Sequence, residues 1–147
     1  MHRRIWLLDS FEGMPKVTPE DGIGFDGHPA ESHVGKEVGD PARVEEVLKK
    51  VGTKMKRVRI LPGWFQDTFS SVTTEQIAIL NIDADWYESV KLCLDTFYER
   101  VVPGGFVSFD DYGHWPGCKK AVDEFFETRG IALKLHPVDY TARWFRK

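Results

Sequence analysis

Only two cysteines, Cys93 and Cys118, occur in the 147 residues, and their placement suits neither a zinc site nor a disulfide framework. The expectation is two free thiols in a reducing cytoplasm. Long apolar runs are missing as well. The N-terminal MHRRIWLLD is basic and then apolar only over IWLL, too short for the hydrophobic region of a signal peptide. No other stretch approaches the length of a membrane span. Positive charge is not in excess: 20 Lys and Arg against 23 Asp and Glu leave a net charge of −3, which argues against a nucleic-acid-binding face. Lys49, Lys50, Lys54, Lys56, Arg57 and Arg59 cluster, but with Glu45 and Glu46 upstream they read as a solvated helix end and strand flank. Repeats and low-complexity tracts are absent.

What is present is the profile of a globular domain, 41% hydrophobic and 29% charged, long enough to build one core. Ile5–Leu8 is a strand candidate ending at Asp9. Residues 14–40 are rich in Gly, Pro and acids and carry no periodicity, so they are expected to form a long loop of the kind that serves as a lid or binding loop. Asp40-Pro41 then opens a helix with an N-cap and a first-turn proline, Val44, Val47, Leu48 and Val51 form its apolar face, and Gly52 ends it. Arg57–Leu61 is a second strand. The nearly continuous apolar run Gln76–Ile82 has the pattern of a central strand covered on both faces. A helix is predicted from Trp86 to about Val102, a turn at Pro103-Gly104-Gly105, a strand over 106–109, a helix over Pro116–Thr128, and two closing strands over 132–138 and 142–145. The alternation predicts an α/β fold with a mainly parallel sheet and a C-terminal antiparallel hairpin, in a single domain over 1–147.

Acids follow three of these strands: Asp9 after IWLL, Asp83 after AILNI, and Asp110 with Asp111 after FVSF. In open α/β sheets ligands bind outside the carboxyl ends of the strands, so topology collects these acids at one functional edge. Two adjacent carboxylates repel, and half-burial makes the repulsion worse unless a positive partner is present. If the two later strands are neighbours, Asp83, Asp110 and Asp111 converge as a hard-oxygen site suited to Mg²⁺ or another divalent cation. Asp85 and Glu88 fit a D-x-x-E capping box at the start of the following helix. Asp111 has the alternative of bonding loop amides in its own turn.

The stretches DSFEGMP, GWFQDTF, LNIDADWYES, PGGFVSFDDYG, PGCKKAVDEFF and HPVDYTARWFRK, in this order from Ile5 onward, resemble the TylF-like macrocin O-methyltransferase family. The resemblance implies a Rossmann-like methyltransferase fold and transfer of a methyl group from S-adenosylmethionine to a sugar or other vicinal-diol hydroxyl, assisted by Mg²⁺. It implies Asp83, Asp110 and Asp111 as metal ligands and Asp9, with Ser10 beside it, as the group holding the donor ribose. Asp67 and Thr68 match a segment near the donor. His33 and His28 in the long loop are the candidate general bases, with His114 a third.

The chain departs from the family pattern in one respect. No strand and Gly-rich turn precede Asp9, and Gly22-Ile23-Gly24 with Gly27 come too late to substitute. The expectation is therefore a methyltransferase-type sheet truncated at its N-terminus, completed by a homodimer. Two alternatives stay open: a non-catalytic homologue that binds a metal or small ligand, or a fragment that folds as an oligomer.

Overall fold

Strand, helix and strand alternate in two separate pieces of the chain. The computed structural model describes residues 3–147, which divide into two compact units. The first unit comprises the chain through Pro15 and His33–Val72; the second comprises Lys16–Ser32 and Thr73–Lys147.

In the first unit, β1 (Ile5–Asp9) and β2 (Val58–Pro62) pair in parallel, Ile5 opposite Val58 and Asp9 opposite Pro62. The crossover carries α1 (Pro41–Lys50), whose start is the one the sequence predicts: Asp40 accepts the Ala42 N–H at 2.9 Å and Pro41 stands in the first turn. Its apolar stripe is only partly covered: Val44 and Leu48 are half-buried, whereas Val47 is 45% and Val51 72% exposed. A short α2 (Phe65–Thr68) follows β2, and Phe65 stacks on Phe69 at 4.7 Å.

The second unit holds a four-stranded sheet in the order β3-β4-β6-β5: β3 (Ile77–Ile82), β4 (Val101–Phe109), β5 (His136–Pro137) and β6 (Arg143–Arg146). β3 and β4 are parallel, joined by α3 (Tyr87–Phe97); β6 runs antiparallel to both β4 and β5. α4 (Pro116–Glu127) packs beside α3. The core lies where the two helices meet one sheet face: Val90, Leu94, Val107, Phe109 and Val122 are fully buried, and Phe126 meets Phe145 edge-on at 5.3 Å. Burial of each such side chain is worth roughly 1.5–3 kcal/mol, so the contact of the two helices with the sheet contributes strongly to the unit's stability.

Three sequence expectations change here. β3 is the edge of its sheet rather than a central strand covered on both faces: Ile79 is 66% exposed, and Phe106 opposite it 42%. Pro103-Gly104-Gly105 is not a turn before β4 but an irregularity inside it. Pairing passes from Ile77–Val101 to Ile79–Phe106, so the extra β4 residues bulge, with Gly104 at φ 80°. The helix expected to reach Val102 ends at Phe97 and gives way to a 3-10 turn, because the strand pairing begins at Val101. Of the long stretch expected as a loop, Lys16–Ser32 is largely irregular yet packs as part of the second unit. Asp21 and Ala30 are buried, and Ile23 forms a bridge with Pro29. Among the described residues no helix is long and apolar enough to cross a membrane.

Candidate functional site

Parallel pairing of β3 and β4 in the register Ile82–Phe109 brings the residues after both strands to one edge of the sheet. The Asp110 N–H continues the ladder by donating to the Ile82 carbonyl at 2.9 Å. One carboxylate oxygen from each of Asp83, Asp85 and Asp111 then lies within 4.8 Å of the others. Asp110, the third ligand expected from the sequence, is exposed and stands outside that group, although its negative charge is felt by both Asp85 and Asp111. Asp85, read from the sequence as a helix cap, lies within the group.

Asp85 reaches the cluster because its backbone is left-handed, with φ 53°. Asp tolerates this conformation better than most side chains, and non-glycine residues held there often mark functional turns. The expected capping box does not form: Trp86 occupies the N-cap of α3 and makes no side-chain cap. The amide of Tyr87 is capped instead by Asp21, whose Oδ1 accepts it at 2.7 Å. Asp85 Oδ2 accepts the indole N–H of Trp115 at 3.1 Å, and the Trp86 and Trp115 rings meet edge-on at 4.9 Å.

The electrostatics are those of crowded acids. Burial, then the charges of Asp85, Asp83 and Asp110, push Asp111 up to about 8; burial, then the charge of Asp83, pushes Asp85 up to about 6. On one side Asp111 faces Asp85, with an oxygen of each carboxylate within 4.8 Å of the other. The other side of Asp111 is unsatisfied, since its Oδ2 is buried without a hydrogen-bond partner. Hard oxygen donors in close convergence, with one oxygen desolvated and unpaired, fit a divalent cation of the Mg²⁺ or Mn²⁺ type.

His114, in the same turn, donates its backbone N–H to Asp111 O at 2.9 Å. Its Nε2 lies 3.9 Å from Asp26 Oδ1, and its Nδ1 is buried without a partner. Asp26 also meets His28, Nδ1 to Oδ2 at 3.0 Å, so one acid serves two histidines. His33 belongs to the first unit. So do Asp9, Ser10 and Asp67. Asp9 closes β1 as expected, with Oδ1 accepting the Phe11 N–H at 2.6 Å, while Ser10 Oγ accepts the Glu12 N–H and donates to Gly13 O. Asp67 lies in the first turn of α2 and donates its N–H to Trp64 O. Cys93 and Cys118 are free and buried; burial pushes both thiols up, Cys93 to about 12, which makes them inert.

Two residues of this site escaped the sequence reading. Asp85 carried a signal, its spacing of two from Asp83 just past a strand, but the capping pattern with Glu88 competed for it. Asp21 carried none, being one acid among several in a Gly-rich stretch.

The family described as Macrocin-O-methyltransferase (TylF) matches residues 1–147. The chain is 34% identical over 153 residues to the mycinamicin III 3''-O-methyltransferase of Micromonospora griseorubida, a match covering 99% of this chain and 58% of the relative. It is 35% identical over 150 residues to the 8-demethyl-8-(2,3-dimethoxy-alpha-L-rhamnosyl)-tetracenomycin-C 4'-O-methyltransferase of Streptomyces olivaceus, covering 98% of this chain and 55% of the relative. The solved structure of the O-methyltransferase NovP matches with a TM-score of 0.82 at 34% identity, over 100% of this chain and 61% of that one. The chain thus spans a little over half the length of the curated relatives it matches.

Proposed function

This chain belongs to the macrocin O-methyltransferase (TylF) family, and from that premise we propose that it serves methyl transfer from S-adenosylmethionine to a hydroxyl of a sugar or similar vicinal diol. The rhamnosyl group in the name of one relative, a 4'-O-methyltransferase, supports a sugar hydroxyl as the acceptor. The observation that carries the reading is the convergence of Asp83, Asp85 and Asp111 with a buried, unpartnered oxygen on Asp111.

In this reading Asp83, Asp85 and Asp111 hold a divalent cation, with Asp110 adding negative charge beside them. A cation bound there supplies Lewis acidity that eases loss of a proton from a neighbouring hydroxyl. The chain's own groups do the rest. The Trp115 indole fixes the orientation of Asp85, and the buried Trp86–Trp115 pair excludes water behind it. His28, whose Nδ1 lies 3.0 Å from Asp26 Oδ2, and His33 are assigned as candidate bases for the hydroxyl proton, with His114 a third. In the first unit, Asp9 and Ser10 are assigned to the donor ribose, whose two hydroxyls a single carboxylate can accept. Asp67 is assigned to the same donor. Association as a homodimer belongs to the proposal and is read directly by sedimentation equilibrium.

Isothermal titration calorimetry with S-adenosylmethionine, with and without Mg²⁺, tests the reading. Saturable micromolar binding is expected. No binding at millimolar donor would remove methyl transfer from this chain on its own.

A further inference from the structure

Among the described residues Asp21 is the only charged side chain that is fully buried, and nothing in the chemistry above uses it. Its carboxylate is completely engaged. Oδ2 accepts the backbone N–H of Thr18 at 2.6 Å and the Thr18 hydroxyl at 3.0 Å; Oδ1 accepts the Tyr87 N–H at 2.7 Å, 66 residues away in sequence. Oδ1 also lies against α4, where Gly117 makes room for it: a Cβ at position 117 would sit 2.0 Å from that oxygen. A buried carboxylate is tolerated only with such complete hydrogen bonding, and removing part of it is costly.

A local cap would have served α3 equally well had position 86 been Ser, Thr or Asp. That position is taken by Trp86, whose ring packs on Trp115. The cap is delegated to a side chain that touches the first turns of α3 and α4 at once. Both turns continue directly from the acids of the site. Asp85 lies two residues before Tyr87, and the Asp111 carbonyl accepts the N–H groups of His114 and Trp115 where α4 begins. A shift of one helix start against the other therefore moves Asp85 relative to Asp111.

We propose that Asp21 is a positioning residue for the acidic site, clamping the N-termini of α3 and α4 against Gly117 and so holding Asp85 and Asp111 in a single cluster. This rests on the reading of that cluster as the cation site. It is not a catalytic residue, since it touches none of the acids. It also couples the Lys16–Ser32 segment to the site: Glu20 next to it meets Lys120 of α4 at 3.4 Å, and Lys120 lies over the Tyr87 ring.

The test compares the chain with Asp21→Asn, Asp21→Ala, Gly117→Ala and the double variant Asp21→Ala/Gly117→Ala, with Val122→Ala as a control that loosens the same helix pair away from Asp21. Two signals are read on folded protein: Mn²⁺ affinity by electron paramagnetic resonance, and the Trp115 indole N–H in ¹⁵N–¹H spectra without metal. Mn²⁺ affinity is expected to fall about tenfold in Asp21→Ala and Gly117→Ala, less in Asp21→Asn, with the double variant no worse than either single. The Trp115 signal is expected to move in all of these and to stay in Val122→Ala. Should Asp21→Ala fail to fold, Asp21→Asn and Gly117→Ala decide. Unchanged affinity and an unchanged Trp115 signal in those two variants overturn the proposal, as does an equal loss in Val122→Ala. If the unsubstituted chain binds no Mn²⁺, the cation reading fails, and the Trp115 signal alone supports or overturns the clamp.

Discussion

Asp85 Oδ2 accepts the indole N–H of Trp115 at 3.1 Å, so the acid that follows β3 is tied to the residue that opens α4. The bond spans two loops that both end in helix starts. It is one reason the cluster keeps its shape although its members repel.

Replacing Trp115 by Phe keeps an aromatic ring in this 3% exposed position but removes the donor. Asp85, already raised by burial and by Asp83, loses the hydrogen bond that holds it down and rises further. The expected cost is about 1–3 kcal/mol of unfolding free energy, read by urea denaturation with an unchanged slope. A Trp115→Phe protein as stable as the parent would mean that the bond does not hold Asp85.

The pair Asp85 and Asp111 makes stability depend on pH in a direction opposite to most carboxylates. Both have folded values above their ordinary 3.8, to about 6 and about 8. Such groups stabilise the fold at low pH and lose that contribution as pH rises through the folded values. With EDTA present, the loss falls between about pH 4 and pH 8. Asp111→Asn removes the Asp111 share of that loss, so the variant should gain on the parent from about pH 4 to about pH 8 in urea melts. A difference independent of pH would show that Asp111 is not raised.

Cation binding should act on the same groups with the opposite sign. Mg²⁺ competes with the protons of Asp85 and Asp111, so its stabilisation of the folded chain is larger at pH 8 than at pH 5.5, by about 1.4 kcal/mol for each tenfold gain in affinity. Asp83→Asn, Asp85→Asn and Asp111→Asn should each abolish that effect. Asp110→Asn should only weaken it, because Asp110 contributes charge and lies outside the group of convergent oxygens. Thermal melts with and without Mg²⁺ rank the four.

Gly113 is held where the acid turn meets the closing hairpin. Its N–H donates to Thr141 O at 2.8 Å, and a Cβ there would lie 2.2 Å from Tyr140 O. Gly113→Ala has no flexible neighbour to displace, only backbone. The expected loss is about 1–3 kcal/mol in chemical denaturation. A neutral result would mean that the 138–141 turn moves freely away.

Much of this protein follows from local pattern. The Asp40-Pro41 helix start, the strand ending in Asp9, the strands followed by Asp83 and Asp110, and the closing antiparallel strand are all set by short-range rules of capping, alternation and turn chemistry. So is the family, because six motifs stand in one order. Tertiary structure decided the rest. Whether an apolar strand is central or an edge depends on which neighbour pairs with it, and Ile77–Ile82 has the same residues either way. Whether Asp85 caps a helix or joins a cluster depends on who else can cap that helix. The answer is Asp21, 66 residues upstream of Tyr87, admitted because Gly117 has no side chain. A hydrogen bond across that separation leaves no periodicity in the sequence; it exists only once the packing of α3 on α4 has brought its partners together.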